Sequence, residues 1–388
     1  MIPKHWQGAI DVIKSIENAG FEAFIVGGAV RDYYLNKKNH DVDIATSALP
    51  EEIQAIFPQT IDVGIEHGTV LVMHKGEPIE VTTYRTESTY SDHRRPDAVH
   101  FVRNLAEDLK RRDFTMNAMA LSQTGEYIDL YEGRKHIDEQ LICAVGIAAE
   151  RFGEDALRML RAVRFAAQLN FTIEAETFAA IGQQATSIEL IAMERIQVEL
   201  SKIFTASHVA QGIHYLETSG LAAYLPGQFD ATAWHNFNSD NRQVGWAYFC
   251  LVNEDATLLT NYRCSNKDKQ FTKLVLEAYD CLIRGVKRID LLRFDLDVLQ
   301  TAYQFMKLRK QEVTITWQEV QQRKQALPIQ SAKELAITGQ DVMMWSAKKR
   351  GPWIKETLEA AVSAVVNGEV TNDKQQLKDW FHATIDEG

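Results

Sequence analysis

Two aspartates spaced two apart, Asp41 and Asp43, follow a glycine pair and an arginine in the run Gly27-Gly28-Ala29-Val30-Arg31-Asp32. Val42 and Ile44 flank the carboxylates as they would on a strand, where side chains at i and i+2 leave one face together. Half-buried carboxylates side by side repel unless a cation lies between them, and hard oxygen donors of this kind suit Mg²⁺. The apolar run Phe24-Ile25-Val26 predicts a buried strand leading into the glycines. Gly27 and Gly28 allow a sharp turn and a close backbone approach to a ligand. Arg31 falls where a helix would begin, so free N–H groups and a guanidinium would face one place, which suits phosphate. Singly, a Gly-Gly is an ordinary turn and an Asp-x-Asp a solvated loop. Together in one short stretch they describe a phosphate cradle beside a metal site, the equipment of nucleotidyl transfer.

A second cluster is Asp108-Leu109-Lys110-Arg111-Arg112-Asp113, leading into an apolar helix expected to contain Asn117. Adjacent helical residues point about 100° apart, so one arginine could reach a triphosphate while the other pairs with Asp108 or Asp113. A solvated, charged helix start would look the same. A third cluster is Arg151-Phe152-Gly153-Glu154-Asp155-Ala156-Leu157-Arg158, continued by Arg161 and Arg164. Asp155 and Arg158 at i, i+3 would be helical neighbours. Their acceptors and donors match the Watson–Crick edge of a base, as a template base would. A plain surface ion pair is the alternative. Arg161 and Arg164 extend a positive stripe able to hold base or phosphate.

Positioning these groups requires a small mixed α/β layer and then helices. The periodicity predicts a helix over 5–19 ending at Gly20, strands at 23–26 and 40–45, and a short helix over 49–57 with Pro50 in its first turn. Further strands are expected at 69–73, 78–82 and 99–102, with the polar stretch 83–98 between the last two as a loop. Beyond Ile147 strand signals almost vanish, and helices are expected throughout, among them 154–169, 189–204, 207–218, 241–253, 267–284, 288–307, 310–325, 331–336 and 352–367.

The 388 residues suffice for two to four domains, and 45% hydrophobic with 24% charged residues marks an ordinary globular chain. No apolar run approaches a membrane span, so no membrane partner is expected. Met1 to Gln7 lack the apolar core of a secretory signal, and the four cysteines lack Cys-x-x-Cys spacing. Reduced thiols in a cytoplasmic protein are the expectation, and a zinc site is not. The net charge of −11 argues against nucleic acid only on average. Residues 301–388 carry 12 basic against 11 acidic side chains, and basic clusters interrupt the acidic part at His93-Arg94-Arg95 and Lys110-Arg111-Arg112. Contact with nucleic acid needs such patches, not a basic total.

Taken together the motifs resemble the class II tRNA nucleotidyltransferases, the CCA-adding enzymes of the polymerase-β-like superfamily. Gly27 to Asp32 with Asp41-Val42-Asp43 is similar to that family's catalytic motif, and Arg111-Arg112-Asp113-Phe114-Thr115-Met116-Asn117-Ala118 to its sugar- and triphosphate-contacting motif. Glu154-Asp155-Ala156-Leu157-Arg158 resembles its nucleotide-selecting motif, and Glu194-Arg195-Ile196 with Glu199 the motif that steadies the adjacent helix. Order and spacing agree over residues 20–205.

The resemblance implies an α+β fold: a mixed-sheet head (1–147), then a helical neck (148–206), body (207–300) and tail (301–388). It implies addition of C, C and A to tRNA from CTP and ATP, with tRNA gripped by the tail, where Lys348-Lys349-Arg350 is the densest cation run. Asp41 and Asp43 would hold two Mg²⁺ ions, Gly28 and Arg31 would contact the triphosphate, and Arg112 would steady sugar or phosphates. Asp155 and Arg158 would read the base, with Arg161 and Arg164 beside them. Glu80 is the candidate third carboxylate, or a strand acid satisfied by Arg85 or a lysine. The loop 84–97, with Asp92-His93-Arg94-Arg95-Pro96, would switch the site from C to A. A bacterial poly(A) polymerase, a CC- or A-adding partial enzyme, and a non-catalytic RNA-binding protein remain as alternatives. Monomer and homodimer are both open.

Overall fold

The computed structural model describes residues 2–39, 41–87, 99–312, 314–346 and 348–384. They form two compact units, Met1–Asp240 with Asn261–Arg263, and Asn241–Thr260 with Cys264–Gly388.

In the first unit the amphipathic helix α1 (Gln7–Asn18) precedes β1 (Ala23–Val26), α2 (Gly28–Tyr34), β2 (Asp43–Thr46) and α3 (Pro50–Ile56). Next come β3 (Thr60–Gly64), β4 (Thr69–His74), β5 (Glu77–Thr83), β6 (Arg85–Glu87), β7 (Val99–Phe101), α4 (Leu105–Lys110), β8 (Met119–Leu121) and β9 (Tyr127–Asp129). One seven-stranded sheet has the order β3-β4-β5-β2-β1-β8-β9. It is mixed: β2 and β5 run parallel, and the other neighbours antiparallel. Apolar residues of its central strands pack with α4 in a buried cluster of Val26, Ala45, Tyr84, Leu105, Leu109 and Ala120. That cluster anchors the strand ends from which the functional side chains project.

The sheet is followed by α5 (Gly133–Asp138), β10 (Leu141–Ile142), α6 (Ala148–Glu154), α7 (Leu157–Leu169), β11 (Thr172–Ile173), α8 (Ala175–Gln184), α9 (Met193–Phe204) and α10 (Val209–Thr218). The long α7 is buried along most of its length and packs against both α9 and α10. Such burial suits a rigid support, since a close-packed helix transmits strain instead of absorbing it.

The second unit is helical: α11 (Arg242–Asn253), α12 (Leu258–Asn261), α13 (Asn266–Ile283), α14 (Arg288–Arg293), α15 (Leu296–Leu308), α16 (Trp317–Gln325), α17 (Gly339–Trp345), α18 (Trp353–Asn367) and α19 (Lys374–Thr384). Its core is the packing of α13 against α11 and α15, with Tyr248 and Phe305 ring centroids 5.0 Å apart.

Five expectations are corrected. The apolar stretch after Asp113 is not a helix but a 3-10 turn, Thr115–Asn117, followed by strand β8. It is too short for a helix, and pairing with β1 satisfies its backbone. The strand β3 was not expected, because it carries Asp62 between exposed Ile61 and Val63 on the sheet edge. The loop expected over 83–98 begins as ordered structure: Tyr84 is fully buried and β6 pairs with β7. The helix expected over 288–307 is two helices, broken at Phe294-Asp295. The boundary expected at residue 300 falls inside the continuous α15, whereas the compact units divide near 240.

Candidate active site

The wall expected to meet phosphate starts at the end of β1. Gly27 has φ +72° and ψ −136°, a conformation costly for any residue with a Cβ. A Cβ there would also come within 2.9 Å of Arg112 Nη1. The turn aims the start of α2 into the cleft, with the first-turn N–H groups outside the helical ladder. Arg31, one turn on, is fixed from two sides. Its Nε and Nη2 donate to Asp32 Oδ1 at 2.9 and 2.8 Å, and Nη1 donates to Asn117 Oδ1 at 2.7 Å. Asn117 Nδ2 donates to Asp113 Oδ1 at 3.2 Å, and Asp113 Oδ2 accepts from Arg161 Nε at 2.7 Å. This relay ties α2 to α7. Burial acts to raise the Asp113 carboxyl, but Arg161 outweighs it and holds the group down to about 2.

The carboxylate side lies at the start of β2. Asp43 is the first residue of that strand, and Asp41 precedes it. The parallel register pairs Ile44 with Val81, which sets Asp43 level with Glu80 of β5. Burial first, then Glu80, then Asp41, push the Asp43 carboxyl up to about 6, with Arg112 opposing them. A carboxyl whose ionisation is opposed by burial and by neighbouring acids belongs to a donor set that a divalent cation would relieve. Asp41 and Asp43 therefore fit such an ion. Among the described residues no group of three or more His, Cys, Asp or Glu side chains is arranged to hold a metal.

Below this pair, Asp108 is almost wholly buried at the end of α4 and takes both adjacent arginines. Arg111 donates through Nε and Nη2 at 3.0 and 2.7 Å, and Arg112 through Nη2 at 3.1 Å. Burial acts to raise the Asp108 carboxyl, but the two guanidiniums prevail and keep it low. The expected division, one arginine on an aspartate and the other free, is thus corrected: both share Asp108, because α4 stops at Lys110 and the chain turns there. Arg112 still presents a buried Nε with no hydrogen-bond partner.

The opposite wall is α7. Asp155 is not in the helix beside Arg158; it is extended, φ −142° and ψ 103°, between α6 and α7. Its carboxylate is gripped by Arg195 of α9, through Nη2 at 2.7 Å and Nη1 at 3.3 Å. Arg158 instead donates to Glu154 Oε2 at 2.6 Å and to the carbonyls of Arg111 and Arg151 at 2.9 and 3.3 Å. The expected Asp155–Arg158 pairing is replaced by two separate partnerships, each fixing one residue. A second residue of α9, Glu199, lies 3.1 Å from Arg164 Nε, both of them buried. The Phe165 ring carries three guanidiniums, from Arg164 at 4.1 Å, Arg31 at 5.1 Å and Arg161 at 5.5 Å.

These walls enclose one cavity of about 750 Å³. Gly28, Arg31, Asp41, Asp43, Arg112, Asp155, Arg158, Arg161 and Arg164 all line it. Asn117, Phe165, Gln168, His67, Arg85 and Arg195 line it too and were not among the expected ligand-binding residues. Asn117 and Arg195 stood within recognised motifs and Phe165 directly follows Arg164, so their signal was present. His67 and Gln168 have none, since only the packing of β3–β4 and α7 brings them there. Glu80 lines a smaller adjoining cavity with Arg85 and Arg112. The stretch Asp92 to Pro96 lies outside the described residues.

Comparison with known proteins agrees in extent with this geometry. The Poly A polymerase head domain matches residues 23–143. The probable RNA and SrmB-binding site of polymerase A matches 170–231, and the putative tRNA nucleotidyltransferase domain 2 matches 237–381. The CCA-adding enzyme of Geobacillus kaustophilus (strain HTA426) is 42% identical over 390 residues, covering 97% of this chain and 96% of the relative. That of Bacillus cereus (strain B4264) is 40% identical over 394 residues, covering 97% and 98%. A crystal structure of the Bacillus stearothermophilus CCA-adding enzyme in complex with CTP superimposes with a TM-score of 0.89 at 37% identity, covering 98% of each chain.

Proposed function

Since the chain belongs to the CCA-adding enzymes, the tRNA nucleotidyltransferases, we propose that it adds C, C and A to the 3′ end of tRNA from CTP and ATP without a nucleic-acid template. One observation carries the reading: the paired carboxylates, the phosphate-facing arginines and the Asp155/Arg158 edge line a single cavity large enough for a nucleotide. The reaction is attack of the tRNA 3′-hydroxyl on the α-phosphate, with pyrophosphate leaving.

Transfer in this family is metal-dependent, and Asp41 and Asp43 would hold two ions, which we assign as Mg²⁺. Bound there, the ions would lower the pKa of the attacking hydroxyl and neutralise charge on the leaving oxygens. Gly28 and Arg31 receive the triphosphate, and Arg112, steadied by Asp108, contacts sugar or phosphates. Arg195 and Glu154 hold Asp155 and Arg158 in fixed orientation, so a wrong base leaves buried polar groups unpaired. Arg161 and Arg164 extend the pocket on its neck side. Residues 1–147 serve as catalytic head and 148–206 as neck, and the second unit grips the tRNA body. The site of action is the cytoplasm; among the described residues no helix is long and apolar enough to cross a membrane.

The test is incubation with tRNA lacking its 3′ end and CTP alone, ATP alone or both, reading product lengths on a gel. Two added residues with CTP and three with both nucleotides are expected. A long ladder with ATP alone would instead support a poly(A) polymerase, the other activity named by the matched head domain. Asp43→Ala should abolish addition while tRNA binding persists; near wild-type turnover would sink the metal assignment.

A further inference from the structure

We propose that Asn39 is a positioning residue that couples the carboxylate side of the cavity to its phosphate side. The inference rests on the nucleotidyl-transfer reading above. The Asn39 side chain uses both of its ends. Oδ1 accepts the backbone N–H of Asp41 at 2.9 Å, and Nδ2 donates to Asp32 Oδ2 at 2.8 Å. The amide orientation follows from its partners, because a backbone N–H only donates and a carboxylate only accepts. The other oxygen of Asp32 is the acceptor that fixes Arg31. One planar amide therefore joins the residue bearing a metal-binding carboxylate to the arginine that faces the triphosphate.

Asp41 precedes β2 and lies outside the sheet's hydrogen-bond ladder, so its amide needs a partner from elsewhere. Asn39 supplies it. Asn39 is itself tied down, since its carbonyl accepts from His5 Nε2 and Trp6 Nε1, both at 3.0 Å. A carbonyl cannot donate, so His5 carries a proton on Nε2. Trp6 is buried and packs on Tyr33 of α2, with ring centroids 5.3 Å apart. The N-terminal turn thus anchors Asn39 to the helix that carries Arg31.

Asn39 variants separate the two arms. Asn39→Ala removes both. Asn39→Asp keeps an acceptor for the Asp41 amide but sets a carboxylate against Asp32. Adding Asp32→Asn to Asn39→Asp restores a donor–acceptor pair with the roles exchanged and leaves Arg31 an oxygen to bind. Calorimetric CTP binding without divalent metal reads the Arg31 arm, and kcat for tRNA extension with Mg²⁺ reads the Asp41 arm.

Asn39→Ala should lower kcat/KM by roughly 10- to 100-fold, the scale of hydrogen bonds to charged groups, through both kcat and CTP affinity. Asn39→Asp should weaken CTP binding by roughly tenfold while its kcat stays above that of Asn39→Ala. The exchanged pair should recover the CTP affinity of the wild type with an unchanged melting temperature. Wild-type kcat and CTP affinity in Asn39→Ala would overturn the proposal. So would an Asn39→Asp defect in CTP binding that the exchange does not repair. A wild-type chain that binds CTP but never extends tRNA would overturn the nucleotidyl-transfer reading instead, and with it the proposal's functional arm.

Discussion

Glu199→Leu should destabilise the first unit by roughly 3–5 kcal/mol, the usual result of removing one partner from a buried ion pair. Arg164 and Glu199 are both buried and 3.1 Å apart. Neither Arg164 Nε nor Glu199 Oε2 is aligned for a hydrogen bond, so the attraction is chiefly Coulombic. Arg164 also shares the Phe165 ring with Arg161 and Arg31. Burial already pulls its guanidinium down to about 10, with Glu199 opposing and Arg161 adding to the pull. It stays charged at neutral pH, so losing Glu199 strands a cation among cations.

At roughly 2–4 °C per kcal/mol for a unit of this size, the melting temperature should fall by about 6–20 °C. The control is Arg164→Met with Glu199→Leu, which removes both charges and should recover most of the loss, because two apolar side chains need no partner. Scanning calorimetry on the full chain, with the three variants side by side, makes the measurement. A single variant losing less than about 1 kcal/mol, the range of exposed pairs, would refute the argument. A double variant no more stable than the single would do the same.

Asp113 gives a pH prediction. Its folded carboxyl titrates at about 2, below the ordinary 3.8, because Arg161 outweighs the effect of burial. A depressed folded value contributes stability above about pH 4 that is lost as pH falls towards 2, here on the order of 2 kcal/mol. The gap in urea midpoint between wild type and Asp113→Asn should be full at pH 6 and shrink below about pH 4; a constant gap would count against it. Deleting residues 90–95, which lie outside the described residues, should leave addition of CC nearly intact and stop addition of A. Loss of both steps on the product gel would show that the stretch is not specific to the last one. Lys348, Lys349 and Arg350 are exposed ahead of α18. Replacing all three with alanine should flatten the log–log salt dependence of tRNA binding by roughly two units, and an unchanged slope would remove them from the interface.

The local chemistry of the cavity was legible along the chain. Gly27, Gly28, Arg31, Asp41, Asp43, Arg112, Asp155, Arg158, Arg161 and Arg164 stand out by residue type and spacing, and all of them line the cavity. Those signals are short-range: a strand ending in glycines, two acids among apolar residues, arginines at helical spacing. The strands β1, β4 and β5 and the buried α7 likewise follow from apolar runs and helical period. Met119–Leu121 escaped because three apolar residues carry no period, and only pairing with β1 makes them a strand. Asp155 and Arg158 were assigned to each other because spacing along one helix was the available evidence.

What the amino-acid sequence determined by itself is the inventory: which carboxylates, guanidiniums and glycines exist, and which local elements present them. The tertiary structure decided their partners. Asp155 belongs to Arg195 and Arg164 faces Glu199, each about 35–40 residues away in sequence, and Arg111 and Arg112 share Asp108. The reason is physical. A buried charge must find an opposite charge or a hydrogen-bond partner wherever packing brings one, and packing of α7 against α9 is a long-range outcome that no local spacing encodes.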